Sequence, residues 1–273
     1  MRLIMRVPFI KMHGLGNDFI MLDARANPLP PISSAVAAAL ADRHTGIGCD
    51  QVILLEPSDI ADFSMRIFNA DGGEVEACGN ASRAAALLHG AKAAVETNGG
   101  IITIEPAGHG ARIDMGKPRF EWDHIPLAYA MDTLNMPVAW DGLNHPASVN
   151  VGNPHVIFFV DDCDAVPLEQ LGPEIETDPL FPQQINVNVA TIESPESIRL
   201  RVWERGAGLT RACGTGACAT AIAAMRRGLV GREVSVTLPG GPLTVEWDDA
   251  DRIIMTGPAT ESFRGSFDWG DYA

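Results

Sequence analysis

The chain of 273 residues carries 20 Lys and Arg against 35 Asp and Glu, a formal net charge of −15. A polyanionic partner needs a basic face, so this balance excludes nucleic acid. No apolar run approaches the ~20 residues of a bilayer crossing, and the first ten residues lack a signal-type core and cleavage site. The expectation is a cytoplasmic globular protein with no membrane partner.

In chain order, the first half offers short apolar or alternating runs that read as strands over 9–13, 18–22, 51–55 and 63–68. A weaker helical segment covers 33–44. A second helix opens at Cys78 and closes at Gly90, and strands follow over 93–97, 101–105 and 111–115. The Pro- and Trp-containing stretch from 118 to 145 has little periodicity and reads as a connector. Beyond it come strands over 147–151, 155–160, 185–190 and 197–203, a helix opening at Cys213 and closing at Gly228, and strands over 233–238, 243–247 and 252–256. Arg226 and Arg227 fall in the last turn of that helix, where its dipole favours cations. Its residues from Ala217 to Met225 are small or apolar nearly all round, the mark of a buried helix.

The halves echo each other. Gly16-Asn17 returns as Gly152-Asn153 after 136 residues. Gln51 falls on Asn186, Asn69 on Glu204, and Cys78-Gly79 on Cys213-Gly214, each after 135. "GGIITIEP" (99–106) lines up with "GGPLTVEW" (240–247). Matches in one order at nearly one spacing point to a duplicated unit. The predicted fold is α+β with mixed sheets. It has two pseudo-symmetric halves, each a curved, mostly antiparallel sheet wrapped around a central helix. The halves are placed at 1–122 and 123–262, with the active site in the cleft between them, and the tail 263–273 is a candidate to pack back on the first.

Five cysteines (Cys49, Cys78, Cys163, Cys213, Cys218) are an odd number, with no C-x-x-C pair, and the histidines show no metal-ligand spacing. Reduced thiols and no metal are expected, with Cys49, Cys163 and Cys218 as small buried side chains. Cys78 and Cys213 differ from these, since each opens a glycine-flanked helix. A helix N-terminus offers unpaired N–H groups and partial positive charge, which suit a small carboxylate and lower the pKa of a thiol. Two such cradles facing one molecule suit inversion of a carbon bearing a proton α to a carboxylate. One sulfur removes the proton as thiolate, and the other delivers one to the opposite face as thiol. Only three lysines are present (Lys11, Lys92, Lys117), none in a phosphate-cradling context, so a cofactor-free reaction is expected. Two other readings stay open on the residues alone: a two-cysteine racemase of the proline or hydroxyproline type, and a redox thiol protein.

The segments "HGLGNDF", "GIGCDQ", "NADG…CGN…R", "VGNPH", "INVN" and "ERGAGLTRACGTGACA", extended by "LPGGPLTVEW" and "IIMTGPA", resemble the diaminopimelate epimerases along essentially the whole chain. The resemblance implies cofactor-independent interconversion of LL- and meso-diaminopimelate in lysine and peptidoglycan synthesis. It implies Cys78 and Cys213 as the acid/base thiols, and Gly79, Asn80, Gly214 and Thr215 as the holders of the reacting carboxylate. It further implies Asn17, Gln51, Asn69, Asn153, Asn186, Glu204 and Arg205 as substrate-binding residues, several at the distal amino-acid end. His155 and Glu204 are placed near the thiols as tuning groups. The partner expected is thus a small-molecule substrate, with homodimerisation left open. Three positions depart from the family pattern: Ala81 stands for a glycine, Ala84 for a cysteine outside the acid/base pair, and Gly73 where serine is frequent.

Overall fold

Branched and aromatic runs bounded by turn residues favour extended chain, and small-residue runs behind a capping side chain favour helix. The computed structural model, which describes residues 5–76 and 78–272, places strands and helices accordingly. Contacts divide the chain into a first unit, up to Ile113 and from Pro258 onward, and a second, Asp114–Gly257.

The first unit contains β1 (Arg6–Gly14), β2 (Asn17–Asp23), α1 (Ser34–Ala41), β3 (Gln51–Glu56), β4 (Phe63–Asn69), β5 (Glu74–Val75), α2 (Gly79–His89), β6 (Ala93–Thr97), β7 (Gly100–Ala107) and β8 (Gly110–Asp114). β1 pairs antiparallel with β2, β2 parallel with β3, and β3 antiparallel with β4. β4 then pairs antiparallel with β5 and parallel with β6, and β6 antiparallel with β7. Ile20, Leu22, Val52, Leu54 and Phe68 form a core with Val36, Ala37 and Leu40 of α1.

The second unit contains β9 (Ala139–Trp140), β10 (Leu143–Asn144), β11 (Ala147–Asn150), β12 (Pro154–Phe159), α3 (Leu168–Glu176), β13 (Asn186–Ser194), β14 (Ser197–Glu204), β15 (Gly208–Thr210), α4 (Gly214–Arg226), β16 (Glu233–Leu238), β17 (Gly241–Trp247) and β18 (Ile253–Pro258). Its pairing sequence repeats that of the first unit. β11–β12 is antiparallel, β12–β13 parallel, β13–β14 antiparallel, β14–β15 antiparallel, β14–β16 parallel and β16–β17 antiparallel. The registers repeat too. Phe19 lies opposite Gln51, and His155 opposite Asn186, their counterparts 136 and 135 residues on. The duplication is thus a property of the backbone as well as of the letters.

α4 packs against β11, β12, β13, β14, β16 and β17, and its residues from Gly216 to Ala224 are all buried. Each long helix opens on a cysteine with extended backbone: φ −148° at Cys78 and −122° at Cys213. α2 ends at Gly90, whose φ of 76° is the left-handed cap expected of glycine. α4 ends one residue earlier than predicted, at Arg227, followed by left-handed Gly228.

The stretch from 118 to 145 is more than a connector. Ile125, Leu127, Met136, Trp140 and Leu143 are buried in the second unit's core, together with Leu168, Leu171 and Ile175 of α3. Arg227 Nη2 donates to the carbonyls of Leu134 and His145, 2.7 Å each, and the Arg226 guanidinium lies 3.8 Å from the Phe120 ring centroid. The arginines at the helix end thus also pin this segment. β19 (Thr260–Asp268) returns to the first unit and pairs antiparallel with β1. Among the described residues, no helix is long and apolar enough to cross a membrane.

Candidate active site

In the first unit, the β1–β2 turn, the start of β3 and the N-terminus of α2 bring Asn17, Asp50, Cys78 and Asn80 together. Cys78 Sγ accepts the N–H of Ala81 at 3.5 Å and donates to Asn17 Oδ1 at 3.8 Å. The same oxygen accepts Asn80 Nδ2 at 3.0 Å, while Asn17 Nδ2 donates to Asp50 Oδ2 at 3.1 Å. The amide is therefore held from both ends with its oxygen toward the sulfur. Asn80 is itself fixed by Arg83, a fully buried guanidinium whose Nη2 donates to Asn80 Oδ1 at 2.7 Å and whose Nε donates to Pro258 O at 3.0 Å. Behind Asn17, Asp50 and Asp18 each accept the other's backbone N–H, and Arg43 bridges both carboxylates. Burial pushes the Asp18 carboxyl up, but hydrogen bonds from Arg43 and Lys11 hold it well below the usual carboxylate range. Gln51 Nε2 donates to Asn69 Oδ1 at 2.9 Å, so these two lie side by side on β3 and β4.

In the second unit, Cys213 Sγ accepts the N–H of Gly216 at 3.3 Å and lies 3.5 Å from Thr215 Oγ1. The Glu204 carboxylate, whose charge acts on this thiol, accepts the Thr210 hydroxyl at 2.5 Å. Burial, then the Glu204 charge, push the Cys213 thiol well above its ordinary value, against the Thr215 hydroxyl and Gly216 N–H. A helix terminus alone would lower it, so here burial decides the sign. Burial likewise raises the Glu204 carboxyl.

His155 reaches the sulfur only through three links, by way of Asn153 and the Thr215 hydroxyl. Asn188 Nδ2, anchored on Val156 O at 3.0 Å, presents its N–H to His155 Nδ1 at 3.1 Å. The ring proton therefore sits on Nε2 and is donated to Asn153 Oδ1 at 2.9 Å; Asn153 Nδ2 donates to Thr215 Oγ1 at 3.3 Å. Burial, reinforced by the Arg205 charge, pushes the His155 pKa down to about 3. The ring is neutral at pH 7 and acts as an orienting link to Thr215.

Asn186 spends its amide on the backbone, donating to Pro154 O at 2.9 Å and accepting Arg205 N at 3.0 Å. It thereby shapes the turn after β14, on which Glu204 and Arg205 sit. The Arg205 side chain is exposed, with Nη1 on Gln183 O at 3.0 Å. Cys49, Cys163 and Cys218 are buried, at 1% exposure or less, with Cys218 on α4 itself; burial pushes the Cys49 thiol up to about 12. Sequence reasoning missed Asp50, Arg83, Asn188 and Thr210. For Asn188 a signal existed: it shares the face of β13 with Asn186, two residues away. For Thr210 none did.

A family model described as diaminopimelate epimerase matches the chain at 9–121 and again at 147–261. The chain belongs to the diaminopimelate epimerase family. Membership makes it an isomerase of the epimerase class. A relative named diaminopimelate epimerase, from Erythrobacter litoralis, is 75% identical over 98% of this chain and 100% of its own length. One of the same name from Zymomonas mobilis is 54% identical over the same shares. Among solved structures, a hydroxyproline epimerase from Agrobacterium vitis with bound trans-4-hydroxy-L-proline superposes with TM-score 0.67. It is 15% identical and covers 98% of this chain and 94% of that one. A Bacillus anthracis protein of the PhzF phenazine biosynthesis family gives TM-score 0.68 at 15% identity, covering 97% and 99%. At such identities these two establish the fold alone.

Proposed function

We propose that the protein interconverts LL- and meso-2,6-diaminopimelate by two-base proton transfer between Cys78 and Cys213, without a cofactor. The observation that carries this reading is the repeated motif of a thiol capping a helix. In both units the sulfur takes the third amide of the first turn, Ala81 or Gly216. The reacting carboxylate is assigned to the preceding amides, Gly79-Asn80 and Gly214-Thr215, where helix dipoles offset its charge and that of the α-carbanion. One thiolate removes the α-proton and the other thiol supplies one to the opposite face. Protons balance within the turnover, and the enzyme is left with the two sulfurs in exchanged protonation states.

Cys213, held as a thiol by burial and by Glu204, is the proton donor in one direction. The Arg205 fork suits the distal carboxylate, and amide oxygens of the asparagine set suit the distal ammonium. A monocarboxylate such as proline has no second amino-acid end for these groups. The test is incubation of LL-diaminopimelate in deuterated water with chiral and mass analysis. Deuterium at a single α-carbon of the meso product is expected. Product without label would exclude exchange through solvent-equilibrated thiols, and turnover of proline instead would exclude the substrate.

A further inference from the structure

Glu176 ends α3 and is 8% exposed, yet no basic side chain is needed to account for it. Its two carboxylate oxygens each accept a hydrogen bond from the chain around the β14 turn. Oε2 accepts Trp203 Nε1 at 2.7 Å, and Oε1 accepts the Gly206 backbone N–H at 2.8 Å. These two donors bracket Glu204 and Arg205. The contact is built to be close. A Cβ on Gly172, one helical turn earlier on α3, would fall 2.5 Å from the Trp203 ring, so only glycine lets the helix lie on the indole.

We infer that Glu176 is a positioning residue that fixes residues 203–206, and through them the Arg205 guanidinium and Glu204 carboxylate, for substrate. This rests on the reading of Glu204 and Arg205 as substrate-gripping groups. A carboxylate can accept from two N–H donors at once with both oxygens. A glutamine of the same shape accepts on one oxygen and turns an N–H against the second donor. The neutral amide thus frees one side of the turn while keeping the packing.

The experiment compares wild type, Glu176→Gln, Arg205→Lys and the double variant, using diaminopimelate kinetics and hydrogen exchange of the substrate-free proteins. For Glu176→Gln, KM rises tenfold or more while kcat stays within threefold, and amide exchange accelerates over 203–207. The double variant is no worse than Arg205→Lys, because contacting residues in one network do not add. An unchanged KM, or effects that multiply in the double variant, would overturn the inference. Exchange is read without substrate, so unaltered protection of 203–207 overturns it even if wild type fails to turn over diaminopimelate, which would instead sink the function. Should Glu176→Gln fail to fold, Trp203→Phe removes the indole donor while keeping an aromatic ring against α3, and the same KM rise and faster exchange over 203–207 are expected of it.

Discussion

Gly216 offers a sharp test of how the Cys213 sulfur is placed. A Cβ added there would lie 2.8 Å from Asn188 Oδ1, 3.0 Å from Val202 Cγ2 and 3.2 Å from Cys213 Sγ. Asn188 is a poor candidate to yield, because its Nδ2 is tied to Val156 O and His155 Nδ1. Restoring ordinary contact, ~3.5 Å or more, takes roughly half an ångström of movement shared with the sulfur. Overpacking of this kind costs about 1–3 kcal/mol, and alanine returns about 1 kcal/mol over glycine inside a helix. Gly216→Ala should therefore lose about 0–2 kcal/mol, a melting shift of a few degrees. Its N–H to Sγ is retained, so the variant isolates steric displacement. An ångström of misplacement near reacting groups costs about a hundredfold in rate, so half of that should lower kcat about tenfold. Epimerisation kinetics and thermal melts are measured beside Gly231→Ala, where the nearest atom to an added Cβ is 3.9 Å away. A Gly216→Ala enzyme with wild-type kcat would refute the idea that this packing fixes the sulfur.

Cys78→Ala and Cys213→Ala should each abolish epimerisation measured by chiral analysis; full activity in either one would break the paired assignment. Glu204→Gln removes a charge that raises the Cys213 pKa, so thiolate absorbance of the ligand-free protein should grow in at lower pH than in wild type. An unmoved titration would show that Glu204 does not act on the sulfur. Arg83→Ala removes the guanidinium donor to buried Asn80 Oδ1 and to half-buried Pro258 O and leaves a void. Urea unfolding should show a loss of about 3 kcal/mol or more, and a loss under 1 kcal/mol would contradict that account.

The duplicated plan was legible because strand runs, cysteines and glycine-asparagine turns recur at one spacing, and the pairing of β1 to β7 does recur in β11 to β17. The helices opening at Cys78 and Cys213 were legible from their glycine flanks and small-residue runs. α3 was not. Its sequence "LEQLGPEIE" carries an internal Pro173 and a glycine, both weak for helix, and it stands because Leu168, Leu171 and Ile175 bury one face. β19 was hidden for the opposite reason. Of its nine residues only Phe267 is buried, so no alternation marks it, and its ladder with β1 holds it. The sign of the Cys213 shift was also out of reach, since burial by the chain around it is a tertiary property. In the same way Glu176 gave no local hint: its partners Trp203 and Gly206 lie 27 and 30 residues away.

The pairing of β19 with β1 has a bearing on biosynthesis. The second unit comes from one uninterrupted stretch, whereas the first pairs β1 with a strand that lies beyond the second unit in the chain. On the ribosome, β1 therefore waits with that flank unzipped until the whole of the second unit has been made. Vectorial synthesis normally completes leading segments before trailing ones; here the uninterrupted unit can finish before the split unit that starts ahead of it.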